Sequence, residues 1–120
     1  RLGEAWSAAD YIDLTDIRAD MMRAAHDRSA PYDAVIMPTT PVIACAIDDV
    51  ADGEAWNTMN RLLLRNTLVS NFLDRCALTI PCHDQGEAPV GLMLMGEAMA
   101  DHRLLEVGLA VEDCVAPDLA

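Results

Sequence analysis

Three short runs, residues 33–37 (Asp-Ala-Val-Ile-Met), 76–81 (Cys-Ala-Leu-Thr-Ile-Pro) and 90–95 (Val-Gly-Leu-Met-Leu-Met), show little alternation of apolar and polar side chains. A strand with one face in water alternates, so runs without alternation belong to strands covered on both faces. Such strands need a layer above, a layer below and partners at their edges. A chain of 120 residues offers few of these. The pattern therefore predicts a piece of a larger sheet.

The segments between the runs read as helices and turns. Ser7 with Asp10 has capping-box spacing, and Tyr11, Leu14, Ile17, Met21, Met22 and Ala25 recur at helical period up to Ser29, so an amphipathic helix is expected there, ended by Pro31. Pro38-Thr39-Thr40-Pro41 stops the first strand. Residues 42–56 lack a period and read as a loop or weak strand. Residues 57–72 lack Gly and Pro and predict one helix, ending before Asn71. The turn-rich stretch 82–89 joins the second and third strands as an antiparallel hairpin. Asp101 is the expected cap of a closing helix that runs to about Asp113, before Pro117. The expected class is α/β, in the order α-β-α-β-β-α.

Composition narrows the chemistry. Eight basic residues face twenty acidic ones, a net charge of −12, which excludes an electrostatic nucleic-acid footprint. All eight are arginines, so lysine bases, Schiff bases and phosphate-loop lysines are absent from this stretch. Ser7, Ser29 and Ser70 are the only serines, and none sits in a nucleophile elbow. Cys45, Cys76, Cys82 and Cys114 are scattered without a Cys-x-x-Cys pair, which reads as buried cytosolic thiols and no metal site. No apolar run approaches the ~18 residues of a membrane span. A soluble cytoplasmic chain with no membrane partner is expected.

Several tempting motifs have plainer readings. Cys82-His83-Asp84 lists a nucleophile, a base and an orienting carboxylate, but neighbours in extended chain point to opposite sides, whereas a triad converges from separate elements. His26 and His102, each beside an aspartate, read as solvated or locally bonded, and nothing favours a metal site that joins them to His83. The acidic row Asp10, Asp13, Asp16 and Asp20, interleaved with Arg18 and Arg23, reads as a solvated, partly self-paired face. Met93, Met95 and Met99 read as core filler.

Tyr32-Asp33-Ala34-Val35-Ile36-Met37-Pro38-Thr39-Thr40-Pro41 resembles the tyrosine-aspartate, apolar strand and Pro-Thr-x-Pro segment of the amidase signature family. Asn71 with Cys76-Ala77-Leu78-Thr79-Ile80-Pro81 resembles that family's next strand, and Pro89-Val90-Gly91-Leu92-Met93-Leu94-Met95-Gly96 its Pro-Val-Gly-Leu-Gln strand. The helix from Asp101 to Glu112 matches its closing helix, and order and spacing agree over about residues 8–113. Asp74 and Cys76 stand where the family commonly has glycine and proline, and His83 where a glycine often follows the strand.

The resemblance implies that residues 1–120 are the C-terminal segment of one larger amidase domain, an α/β/α sandwich with a mixed sheet. Its Ser-cis-Ser-Lys triad and glycine- and serine-rich oxyanion loop would lie before residue 1, and no metal or organic cofactor is implied. This stretch alone would be inactive; Thr39, Thr40 and Asn71 would at most line the rim of the substrate pocket. Expected partners are a small-molecule amide, the remainder of the amidase chain and, in a homo-oligomer, a second copy. The A subunits of tRNA-dependent amidotransferases carry an acidic residue seven positions before the matched Asn. Leu64 occupies that position here, which favours an ordinary amidase over a tRNA-dependent amidotransferase component. Rival expectations are a non-catalytic oligomerisation module that keeps this part of the fold and a cysteine enzyme that uses Cys82 or Cys45.

Overall fold

The computed structural model describes residues 2–115. After a short 3-10 turn at Leu2–Ala5, Ser7 caps helix α1 (Ala8–Ser29). The Ser7 hydroxyl accepts the Asp10 backbone N–H at 3.2 Å, while the Asp10 carboxylate accepts the Ser7 backbone N–H at 2.8 Å and its hydroxyl at 2.7 Å. Those bonds, that of the Ser7 side chain foremost, hold the Asp10 carboxyl below its usual range. The chain then turns at Ala30 into strand β1 (Val35–Pro38).

A single 3-10 turn, Ile47–Val50, leads into α2 (Gly53–Leu64) and the short α3 (Thr67–Phe72). Strands β2 (Ala77–Pro81) and β3 (Gly91–Met95) and helix α4 (Asp101–Val115) complete the order. The strands lie as β1-β3-β2, with β3 central and both pairings antiparallel. No parallel pair occurs among the described residues; the chain is an α/β arrangement around a small antiparallel sheet.

Register decides which side chains share a face. Ile36 and Leu78 both stand opposite Leu94, and α4 packs on that face across β2 and β3. Leu94 is fully buried there, with Ile80 and Leu104 at its sides and Leu78, Val107 and Val111 around them. Gly108 lets α4 approach closely: a Cβ at that position would stand 2.8 Å from Leu78 Cδ2, so the Leu78 side chain would have to shift. The helix lies mainly on β2 and β3, and Ile36 on β1 remains 63% exposed. On the opposite face Met93 and Met95 are buried, as expected of core filler.

The structure corrects several sequence expectations. Asp52, not Asn57, opens the second helix; its carboxylate accepts the backbone N–H groups of Glu54 (2.9 Å) and Ala55 (2.8 Å). The single helix expected over 57–72 is two, broken at Arg65-Asn66, and Asn71 lies inside the second. Asp101 is the first residue of α4 rather than its cap: the Leu104 N–H returns to the Ala100 carbonyl, behind Met99 at φ +60°. Met99 is 94% exposed and fills no core. All four thiols are free, but Cys82 and Cys114 are exposed and Cys45 and Cys76 only half-buried. Pro117 lies outside the described residues.

Helix α1 also departs from expectation. Its apolar row is present, yet Tyr11, Leu14, Ile17 and Met21 are all exposed, and Ser29 is its one buried residue among those described. Among the described residues no helix is long and apolar enough to cross a membrane.

Candidate functional site

Two polar constellations connect elements distant in sequence. The first lies at the end of the sheet where β1 finishes. The Thr39 N–H donates to the Gly91 carbonyl at 2.8 Å, and Thr39 and Thr79 share a hydroxyl hydrogen bond at 3.0 Å. The Asn66 side-chain amide donates to the Pro38 carbonyl at 2.7 Å, which ties the break between α2 and α3 to the same strand end. The Thr40 hydroxyl donates to the Val42 carbonyl at 2.9 Å, and Thr40 lines a recess of about 190 Å³ with Pro38, Pro41, Ile43, Pro89 and Val90.

Thr39 and Thr40 thus lie together at this strand end, whereas Asn71 is exposed in α3, and no hydrogen bond among the described residues joins it to either threonine. Thr79 and Asn66 belong to the strand-end cluster but carry no sequence signature. Their roles depend on a chain crossing that no local pattern encodes.

The second constellation centres on Glu97, in the link between β3 and α4. Its Oε2 lies 2.8 Å from His26 Nδ1, and its Oε1 accepts the Ser29 hydroxyl at 2.8 Å and pairs with Arg75 at 3.1 Å. The Arg75 side chain is only 4% exposed. The Glu97 backbone carbonyl accepts the Cys76 thiol at 3.0 Å. Partial burial works against the charge, but hydrogen bonds from His26 and Ser29 and the positive charge of Arg75 outweigh it and hold the carboxyl below its ordinary value. A carboxylate held by two hydrogen bonds and the Arg75 charge is a weak base, and His26 reaches the carboxylate rather than Ser29, so this arrangement clamps rather than activates a nucleophile. Beside it lies a hollow of about 440 Å³ bounded by Met22, Leu73 and Ala98.

The other motifs stay apart. Cys82 Sγ (3.7 Å) and His83 Nδ1 (3.3 Å) both address the Val90 carbonyl, so the strand-end turn consumes what a triad would need. His102 sits 3.4 Å from Glu106 one turn on, a local contact as expected, whereas His26 bridges to a partner far along the chain. Among the described residues no three His, Cys, Asp or Glu side chains could hold a metal. On α1, Asp20 pairs with Arg23, while Arg18 reaches out to Asp74 at 2.7 Å and to the Phe72 carbonyl at 2.8 Å, its guanidinium 5.7 Å above the Phe72 ring.

Residues 2–105 match the sequence model of the amidase family. The chain belongs to the amidase family. Among its relatives, 2-amino-5-chloromuconic acid deaminase of Comamonas testosteroni is 35% identical over 99% of this chain and 28% of its own length. Fatty acid amide hydrolase of Arabidopsis thaliana is 30% identical over 91% of this chain and 18% of its own. The glutamyl-tRNA(Gln) amidotransferase A subunit of Streptomyces coelicolor is 37% identical over 67% of this chain and 16% of its own. This amidase chain spans at most 28% of the length of these three. In fold it is similar to the crystal structure of the glutamyl-tRNA(Gln) amidotransferase A subunit from Thermotoga maritima, with a TM-score of 0.70 and 22% identity, over 90% of this chain and 23% of that one.

Proposed function

We propose that these residues are the C-terminal portion of a single larger domain, an amidase that hydrolyses a carboxamide to a carboxylate and ammonia or an amine. The family match over residues 2–105 carries this reading. In the mechanism implied by the resemblance, a serine attacks the amide carbon, a lysine works through a bridging serine as base and then acid, and backbone amides hold the oxyanion. The sequence contains no lysine, so that triad would come from outside these residues. The reaction needs no metal or organic cofactor, and a cytoplasmic location suits it. Within this portion, Thr39, Thr40 and Asn71 are assigned to the pocket rim, and the exposed apolar row of α1 to contact with the remainder of the chain or a second copy.

Full-length protein assayed with a panel of uncharged primary carboxamides should release ammonia, and replacement of the upstream triad lysine by alanine should abolish the release. Turnover that survives the lysine replacement overturns the mechanism. A second reading, a component of a tRNA-dependent amidotransferase, draws support from the relatives of that name. Leu64 and the net charge of −12 weigh against it. Glutamine-dependent turnover stimulated by misacylated tRNA would replace the first reading with the second.

A further inference from the structure

Helix α1 buries only Ser29 among its described residues, with Met22 and Ala25 half-buried, so apolar packing holds it only lightly against the sheet. Polar ties do so at two points: Arg18 on Asp74 and the Phe72 carbonyl, and His26 with Ser29 on Glu97. The Glu97 tie also takes in Arg75, which precedes β2. We propose that the Glu97 carboxylate is an acid-released latch that holds the last turns of α1, and through the Ala30 turn the start of β1, against the sheet.

The chemistry follows from the donors that face it. His26 Nδ1 and the Ser29 hydroxyl point hydrogen-bond donors at the two carboxylate oxygens, and the Arg75 guanidinium pairs with Oε1 through its charge at 3.1 Å. A proton on either oxygen sets donor against donor and removes the charge that Arg75 neutralises. The charged groups around the latch are Arg23 and Asp27 from α1 and Arg75 from the segment before β2; Arg23 is itself paired with Asp20. Among the described residues neither Asp27 nor any other carboxylate shares the pair with Arg75, so no second carboxylate takes over when Glu97 is neutral. The lowered Glu97 carboxyl agrees with a latch closed at neutral pH and open only in acid.

Amide hydrogen exchange on the full-length chain, corrected for the intrinsic pH dependence of exchange, tests this. At neutral pH Glu97→Gln should raise exchange over residues 22–30 about tenfold and leave residues 91–95 unchanged. Wild type should show the same local rise as the pH is lowered below the ordinary carboxyl value of 4.5, with no further rise in the variant. Unchanged exchange over 22–30 overturns the proposal, and so does a rise shared equally by 91–95, because the carboxylate would then hold the whole fold. If Glu97→Gln does not fold, the double variant His26→Ala, Ser29→Ala removes both α1 donors and keeps the Arg75 pair. It should loosen 22–30 alone, and no change there overturns the latch.

Discussion

A Cβ on Gly91 would stand 2.5 Å from Thr79 Cγ2 and 2.8 Å from Thr39 Oγ1, the two residues that close the strand end. Both neighbours are short and already hydrogen-bonded to each other, so neither can withdraw without breaking that bond. Gly91→Ala should therefore lower unfolding stability by about 1–3 kcal/mol in denaturant titration, the usual cost of overpacking. Asp74 presents the opposite problem. Its φ of +53° is the left-handed region, which suits glycine and tolerates Asp but not β-branched residues. That conformation suits the glycine that the family resemblance places at this position. Asp74→Val should cost about 1–3 kcal/mol, whereas Asp74→Gly exchanges the exposed Arg18 pair for a relaxed backbone and should be near neutral by the same titration. Glu97 gives a signed pH effect. Its carboxyl lies lower in the folded protein than the ordinary value of 4.5, so the stabilisation is whole above that pH and declines as pH falls through the folded value. As the pH falls below 4.5 wild type should lose more stability than Glu97→Gln in denaturant titration.

At the scale of elements, α2 depends on its cap. Asp52→Ala leaves the Glu54 and Ala55 N–H groups without their acceptor and should cost about 1 kcal/mol, with circular dichroism showing loss of helix confined to a few residues. Part of this architecture is legible in the sequence, and the rest is hidden for physical reasons. The capping box at Ser7 and Asp10 is readable because it rests on contacts within three residues, and the three strands and the hairpin because local composition and turn residues mark them, although their pairing is long-range. Asp52 is hidden because Gly53 after it reads as a turn, although Asp-Gly-Glu-Ala also suits a helix start. The break at Arg65-Asn66 has no Gly or Pro to announce it; the Asn66 side chain reaches the Pro38 carbonyl, a contact made only in the folded chain. The same holds for Glu97 and Arg75. A glutamate after a glycine and an arginine before a strand look like surface residues until three segments meet around them. Motif resemblance picks out Thr39 and Thr40, while Thr79, which bonds to Thr39, sits at an ordinary strand position.

Across the whole molecule, the radius of gyration is 17.6 Å, against about 14 Å for a compact chain of this length. The accessible surface is 8970 Å², where roughly 6,300 Å² suits a monomer of this mass. The difference is about three times the ~800 Å² that each partner contributes to a standard protein–protein interface. It includes the row Tyr11, Leu14, Ile17 and Met21 on α1, along with Trp56, Leu68 and Phe72 from α2 and α3. If the remainder of an amidase chain covers this row, Ile17→Asp should lower the melting temperature of the full-length protein by several degrees, measured calorimetrically. If the row faces water, the change should stay within measurement error.

The strand order also governs when this region can form during synthesis. Central β3 is the last of the three to emerge, and Val35 at the start of β1 finds its partner only in Met95. Until then β1 and β2 each lack their partner among the described strands. The sheet therefore closes late, after a long loop has been drawn together, and a ribosome paused before β3 would hold two adhesive edges in the open. Codon choice or chaperone access over that interval would bear on yield without altering a single contact in the finished protein.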